Sequence, residues 1–167
     1  TVTNKDKQEV VVSRNSQVTL TDEKGKLIEQ HKLIYGSTLL AKDQTSVEPG
    51  LKIAGWDPYT RPIISEVEGI VQFSDIEDGV TVRSKTDELT GLSSIEVIDV
   101  AERPSAGKDK VPSIALVDSK GKPVPLGEHK TPANYSLPAK ALVNLKDGKK
   151  LHAGEVLARI PLEGSKT

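Results

Sequence analysis

Imidazole is the side chain best suited to move protons near neutral pH or to hold a transition metal, and this chain carries three, His31, His129 and His152. No two lie within four residues of each other, so none forms a local metal pair. His31 and His152 fall in or beside expected strands and His129 in a loop, where a surface histidine is the reading. Asp75, Glu77 and Asp78 cluster before Gly79 in the run SDIEDG. A calcium loop needs oxygen ligands at regular spacing over about twelve residues, and the rest of that pattern is missing. Asp87 and Glu88 are paired carboxylates suited in principle to acid–base work, but neighbours on a strand point to opposite faces. Ser93-Ser94 follows Gly91-Leu92 without the second glycine of a nucleophile elbow, and no phosphate-binding loop or dinucleotide fingerprint occurs. With no cysteine there is no disulfide, thiolate zinc site or thiol nucleophile. Lys108, Lys110 and Lys149-Lys150 are short basic groups typical of solvated loops rather than of a nucleic-acid face. The sequence therefore offers no catalytic residue, no cofactor-binding residue and no metal ligand.

The elements that would position any such residue are strands. Glu9–Ser13, Gln17–Thr21, Gly69–Phe73, Val80–Arg83 and Ile95–Val100 are β-branched or alternating runs. Turns punctuate them at Lys24-Gly25, Pro49-Gly50, Asp57-Pro58, Asp78-Gly79, Lys120-Gly121, Lys146-Asp147-Gly148 and Ala153-Gly154. A turn every 8–12 residues or so indicates an all-β sandwich or barrel. No window keeps helical periodicity for three turns; Asp87–Ser93 allows a short helical turn at most, and ten prolines oppose long helices.

Two stretches are copies of each other. Val18–Lys26, VTLTDEKGK, matches Ile114–Lys122, IALVDSKGK, at an offset of 96. Further on the offset is 104, where Asp43, Gly50 and Ala54 meet Asp147, Gly154 and Ala158, so the second copy carries an eight-residue insertion around Pro123–Pro132. A repeated strand-rich unit is scaffold rather than reaction centre. The polar run Ala101–Val111 is the expected boundary, giving a first unit at 1–104 and a second at 105–167. On this division the first unit has an excursion, Ile63–Val100, that the second lacks. The polar ends TVTNKDKQ and EGSKT are expected to fray.

Composition limits the function classes. The 167 residues carry a formal net charge of −1, 35% hydrophobic residues and no apolar run long enough for a membrane helix, which excludes a general basic field for nucleic acid. With 3% aromatics the core must come from aliphatic residues. Burial is expected to be densest at Val18, Leu20, Ile53, Ile70, Val71 and Val82 in the first unit and at Ile114, Leu116, Leu142, Leu151 and Leu157 in the second. Trp56 stands where the second copy has Ile160; core filling and a docking face both remain open for it. The chain has no methionine, which is expected of a piece excised from a longer protein.

From Trp56 onward the sequence resembles one family. The runs GWDPYTRPIISEVEGIVQF, DGVTV, TDELTGLSS, ALVNLKDG and GEVLARIP are similar to the large lineage-specific insertion in the trigger loop of the bacterial DNA-directed RNA polymerase beta-prime subunit, proteobacterial type. The resemblance covers about Val10 to Pro161, and Thr86–Ser94 is its most specific segment. It implies two tandem sandwich-barrel hybrid units, in agreement with the repeat. It implies a cytoplasmic, non-catalytic module of a nucleotidyltransferase that modulates trigger-loop movement, elongation, pausing and transcript cleavage. The catalytic motif lies elsewhere in that subunit, and magnesium and zinc belong to the parent polymerase and not to this segment. The implied partners are the rest of the beta-prime subunit and the beta subunit, with downstream DNA and elongation factors as further ones; the isolated segment is expected to be monomeric. A rival reading rests on DGKKLHAGEVLARI, which is similar to biotinyl and lipoyl carrier domains. Lys24 and Lys120 sit on turns as a carrier lysine would, but without the carrier's flanking residues. A free-standing binding module is the third class.

Overall fold

Short apolar runs cut by glycine and Asx turns can bury one face each but cannot sustain a helix, and the chain folds accordingly. The computed structural model describes residues 1–162. Its strands, in chain order, are β1 (Val2–Thr3), β2 (Glu9–Val10), β3 (Gln17–Thr21), β4 (Leu27–Lys32), β5 (Thr38–Leu39), β6 (Ala54–Gly55), β7 (Thr60–Ile64), β8 (Gly69–Ser74), β9 (Val82–Thr86) and β10 (Ser93–Val97). After two single 3-10 turns, Val100–Glu102 and Ser105–Gly107, come β11 (Ser113–Val117), β12 (Pro125–Leu126), β13 (Thr131–Pro132), β14 (Asn134–Ser136), β15 (Leu142–Val143), β16 (Lys150–Leu151) and β17 (Val156–Pro161). The protein is all-β. The strands form sheets of order β1-β2-β5-β6, β7-β17-β15-β10-β9 and β14-β11-β8-β16, with β3-β4 and β12-β13 as ribbons. Asp87–Leu92 is the tip of the β9–β10 hairpin rather than a turn of helix, and β12–β13 is the insertion of the second copy.

The repeat extends further than the sequence match. Strand β3 corresponds to β11 and β5 to β15 at the same offsets of 96 and 104. The backbone bonds repeat as well. Leu33 N–H donates to Ser16 O at 2.9 Å and Leu137 N–H to Pro112 O at 2.9 Å; Val11 N–H donates to Ser37 O at 2.9 Å and Val97 N–H to Ala141 O at 3.0 Å. Val11 and Val97 therefore hold the same place, and the hairpin β9–β10 is the second copy's counterpart of β1–β2.

This corrects the expected division at 104/105. Strands from both sides of it share sheets: β8 pairs with β11 from Ser74↔Ser113 to Ile70↔Val117, β10 with β15, and β7 with β17. Most of the excursion assigned to the first unit thus completes the second. The sequence match missed this because β2 and β10 share a hydrogen-bonding role but hardly a residue. The N-terminal run is not frayed either, since Val2 and Thr3 pair with Val10 and Glu9. The C-terminal EGSKT, Glu163–Thr167, lies outside the described residues.

The principal core falls wholly in the later part. Val71, Val97, Ile114, Leu116, Leu151 and Leu157 are almost completely buried there. Of the expected core, Val18, Leu20 and Ile53 are only half-buried, as are Ile70 and Leu142. The cause for the first copy lies in the sheets. Strand β11 is flanked by β14 and β8, whereas β3 has only β4, which is exposed along its whole length. The first copy has no counterpart of β8, so it gathers little core beyond Val10 and Val11.

Candidate interaction site

The copied turn is held by its aspartate. Asp22 Oδ1 accepts from Lys24 N–H and Lys26 N–H at 2.9 Å each, and Asp118 Oδ1 from Lys120 N–H at 2.8 Å and Lys122 N–H at 3.0 Å. Gly25 and Gly121 adopt φ near +79° and +77°, which a Cβ would oppose. Those bonds, Lys122 first, hold the Asp118 carboxyl below its ordinary range. Lys24 and Lys120 are exposed here, yet the sequence match to a carrier tip ends at the turn itself.

The residues with chemical potential are dispersed. His31 meets Glu29 at 2.9 Å on the exposed β4, and His152 lies 3.5 Å from Glu68. His129 sits in the β12–β13 loop. Asp75 accepts from Val111 N–H at 3.1 Å and Glu77 pairs with Lys110, so both tie the 101–111 segment to the turn before β9. Lys150 is paired with Glu68 at 2.7 Å, which depresses the Glu68 carboxyl. Among the described residues no three His, Asp or Glu side chains converge as metal ligands, and the chain has no cysteine.

Three buried polar arrangements had not been expected. Arg103 is buried and donates to Ile98 O at 2.9 Å, Gly107 O at 3.3 Å and Lys110 O at 2.9 Å, which folds the supposed linker around one guanidinium. Glu96 on β10 faces Arg83 and Lys85 on β9, at 2.6 Å and 3.1 Å. The Arg83 hydrogen bond holds the Glu96 carboxyl below its usual range against the burial that raises it, and Lys85 adds to this. Tyr35 and Tyr135, one from each copy, accept through Oη from Ile64 N–H and Glu66 N–H at 3.1 Å each. Burial raises both phenols above their ordinary value. Opposed charges on a predicted hairpin could have signalled the Glu96 cluster; nothing in AERPSAGKDKV marks Arg103 as buried.

Several large apolar side chains also stand at the surface. Trp56 is 55% exposed, which decides against core filling. The β9–β10 tip carries Leu89, 96% exposed, and Leu92, 65% exposed, on a well-fixed frame. Asp87 Oδ1 accepts from Leu89 N–H at 2.8 Å and Thr90 N–H at 3.1 Å, Gly91 N–H donates to Asp87 O at 2.8 Å, and Asp87 N–H to Leu92 O at 3.0 Å.

No protein-family model matches the chain. Among curated proteins it is 51% identical over 158 residues to the DNA-directed RNA polymerase subunit beta' of Cellvibrio japonicus, an alignment covering 95% of this chain and 11% of that protein. It is 53% identical over 166 residues to the same subunit of Aliivibrio fischeri and 50% identical over 166 residues to that of Idiomarina loihiensis, in each case over 99% of this chain and 12% of the relative. The chain is a homologue of one segment of the beta-prime subunit. It spans only about a tenth of the length of the relatives it matches. The exposed hairpin tip coincides with TDELTGLSS, the run on which the resemblance most strongly rests. No helix of the described residues is long and apolar enough to cross a membrane.

Proposed function

We propose that the segment is a non-catalytic insertion of bacterial RNA polymerase that biases the movement of the trigger loop, and through it elongation, pausing and transcript cleavage. The observation that carries this is the near end-to-end match to beta-prime subunits from several proteobacteria. The fold supports it physically. Sheets shared across 104/105, the Arg103 knot and the Tyr35 contact make a body able to transmit displacement rather than absorb it. A stiff body tethered to a mobile loop adds to the loop's open–closed equilibrium whatever contacts it makes in only one state. A difference of about 1.4 kcal/mol shifts that equilibrium tenfold, so modest contacts suffice. Contacts in the open state favour pausing; contacts in the closed state favour fast addition. The partners of this reading are the remainder of the beta-prime subunit and the beta subunit, with downstream DNA and elongation factors within its scope. The chemistry, with its magnesium, belongs to the parent enzyme outside this segment.

The test is removal of residues 1–167 from the parent polymerase, with the flanks rejoined by a short linker. Single-nucleotide addition and pause lifetimes are then followed on a defined template. Basal addition should survive while pause lifetimes or closure kinetics change. Unchanged kinetics throughout would remove the coupling.

A further inference from the structure

Besides the Tyr35–Ile64 bond, the two copies meet head to tail at one specific contact. The tip of the first copy's hairpin, Asn4 and Lys5, rests on the turn of the second copy that holds Gly154 and Glu155. A Cβ built on Gly154 would lie 2.8 Å from Asn4 Cβ, and Lys5 Nζ lies 3.3 Å from Glu155 Oε1. The corresponding turn of the first copy, at Gly50, has nothing within 4 Å of the same position. The corresponding hairpin of the second copy, β9–β10, is exposed at every residue from Arg83 to Ser93. A head-to-tail contact used once leaves a donor end and an acceptor end unfilled.

The unfilled donor end differs from the filled one as a contact surface would. It has five register pairs against two in β1–β2, so it projects further. Both tips are fixed by an Asx side chain: Asn4 Oδ1 accepts from Asp6 N–H at 3.0 Å and Gln8 N–H at 2.9 Å, as Asp87 does from Leu89 and Thr90. The first tip is wholly polar, NKDKQ, whereas the second presents Leu89 and Leu92 beside Asp87 and Glu88. A frame already ordered by four hydrogen bonds loses little further entropy on docking.

We propose that the β9–β10 tip is a docking knob, with Leu89 and Leu92 entering an apolar socket rimmed by Lys or Arg on another protein surface of the polymerase that carries this segment. The basic rim follows from the two acidic residues at the tip. The partner lies in the same assembly because the chain is a tenth of its relatives and most of their length lies outside it. A second copy of this chain fits less well. Its open turn offers Leu51, but Glu48 and Lys52 beside it cancel in charge, and such a contact does not close on itself. The inference rests on the beta-prime homology and not on the loop coupling.

The experiment places the photo-crosslinking residue p-benzoylphenylalanine at Leu89 in the intact polymerase, with Lys24 as the exposed control position. Crosslinked peptides are mapped by mass spectrometry. The expected result is one dominant protein site containing apolar residues flanked by Lys or Arg, with a yield that drops at least fivefold in the Leu92→Asp background. Yield no higher than at Lys24, products only with nucleic acid, or products joining two copies of this segment would each overturn the proposal. A clean protein crosslink in a polymerase whose kinetics ignore deletion of the segment would keep the knob and discard the coupling.

Discussion

Glu96 takes the place in the second copy that Val10 takes in the first, so one buried position of the repeat has changed from apolar to ionic. A lone carboxylate there would be costly, and Arg83 and Lys85 opposite offset the cost. Both cations are more than half exposed, so solvent screens them and the cluster contributes far less than a buried pair. Replacing Glu96 by Gln at pH 7 should cost about 1 kcal/mol, read as a lower urea midpoint with unchanged slope. The folded carboxyl titrates below its unfolded value of about 4.3. Its stabilisation is therefore complete above that pH and is lost as pH falls through the folded pKa. The gap between wild type and Glu96→Gln should narrow as pH falls below about 4.3 and close only below the folded pKa, where the wild-type side chain is also neutral. A gap that stays constant over that range would show that the charge is not what stabilises the hairpin.

At the scale of elements, the segment 101–111 carries the sharpest lesson about legibility. Its composition says linker, and its fold is a pair of 3-10 turns wound on Arg103. Composition reports what a segment can expose; it does not report that a guanidinium from within it will satisfy three carbonyls. The strands were easier to read. Gln17–Thr21 and the core positions Val71, Ile114, Leu116, Leu151 and Leu157 follow directly from alternation and repeat. Pairing was not legible: nothing local says that β8 joins β11 rather than β3, and that choice decides which copy has a core. The knob's geometry required the turn at Asp87 to be seen. Replacing Arg103 by Met retains the apolar stem but leaves the carbonyls of Ile98, Gly107 and Lys110 without their donor. The expected loss is about 2–4 kcal/mol in denaturant unfolding, with faster amide exchange across 100–111. Arg103→Lys should recover only part of it, because one ammonium cannot span the three acceptors. A change below about 0.5 kcal/mol for Arg103→Met, the size of an ordinary surface substitution, would refute the role given to the guanidinium.

Across the whole molecule, burial is unequal. The second copy, thickened by β7 and β8, holds the aliphatic core, and the first leans on it through Tyr35 and the Asn4–Gly154 contact. Stability should follow that division. Amides of the β3–β4 ribbon should exchange first, and those of β8 and β11 only through global unfolding. Uniform protection of the two would contradict this order. The head-to-tail contact can be isolated by a matched pair of substitutions. Gly50 and Gly154 adopt nearly the same conformation, φ +88° and +80°, so Gly→Ala imposes the same backbone strain of about 1–2 kcal/mol at each. Only at Gly154 does the new methyl meet Asn4, so Gly154→Ala must also push the first hairpin away. It should cost about 1–2 kcal/mol more than Gly50→Ala. The extra loss should come with faster exchange at Val2–Val10 and a weaker Lys5–Glu155 pair. Equal costs for the two substitutions would mean that the copies are held by the Tyr35 side alone, and the polar first hairpin would then be as free as the apolar second.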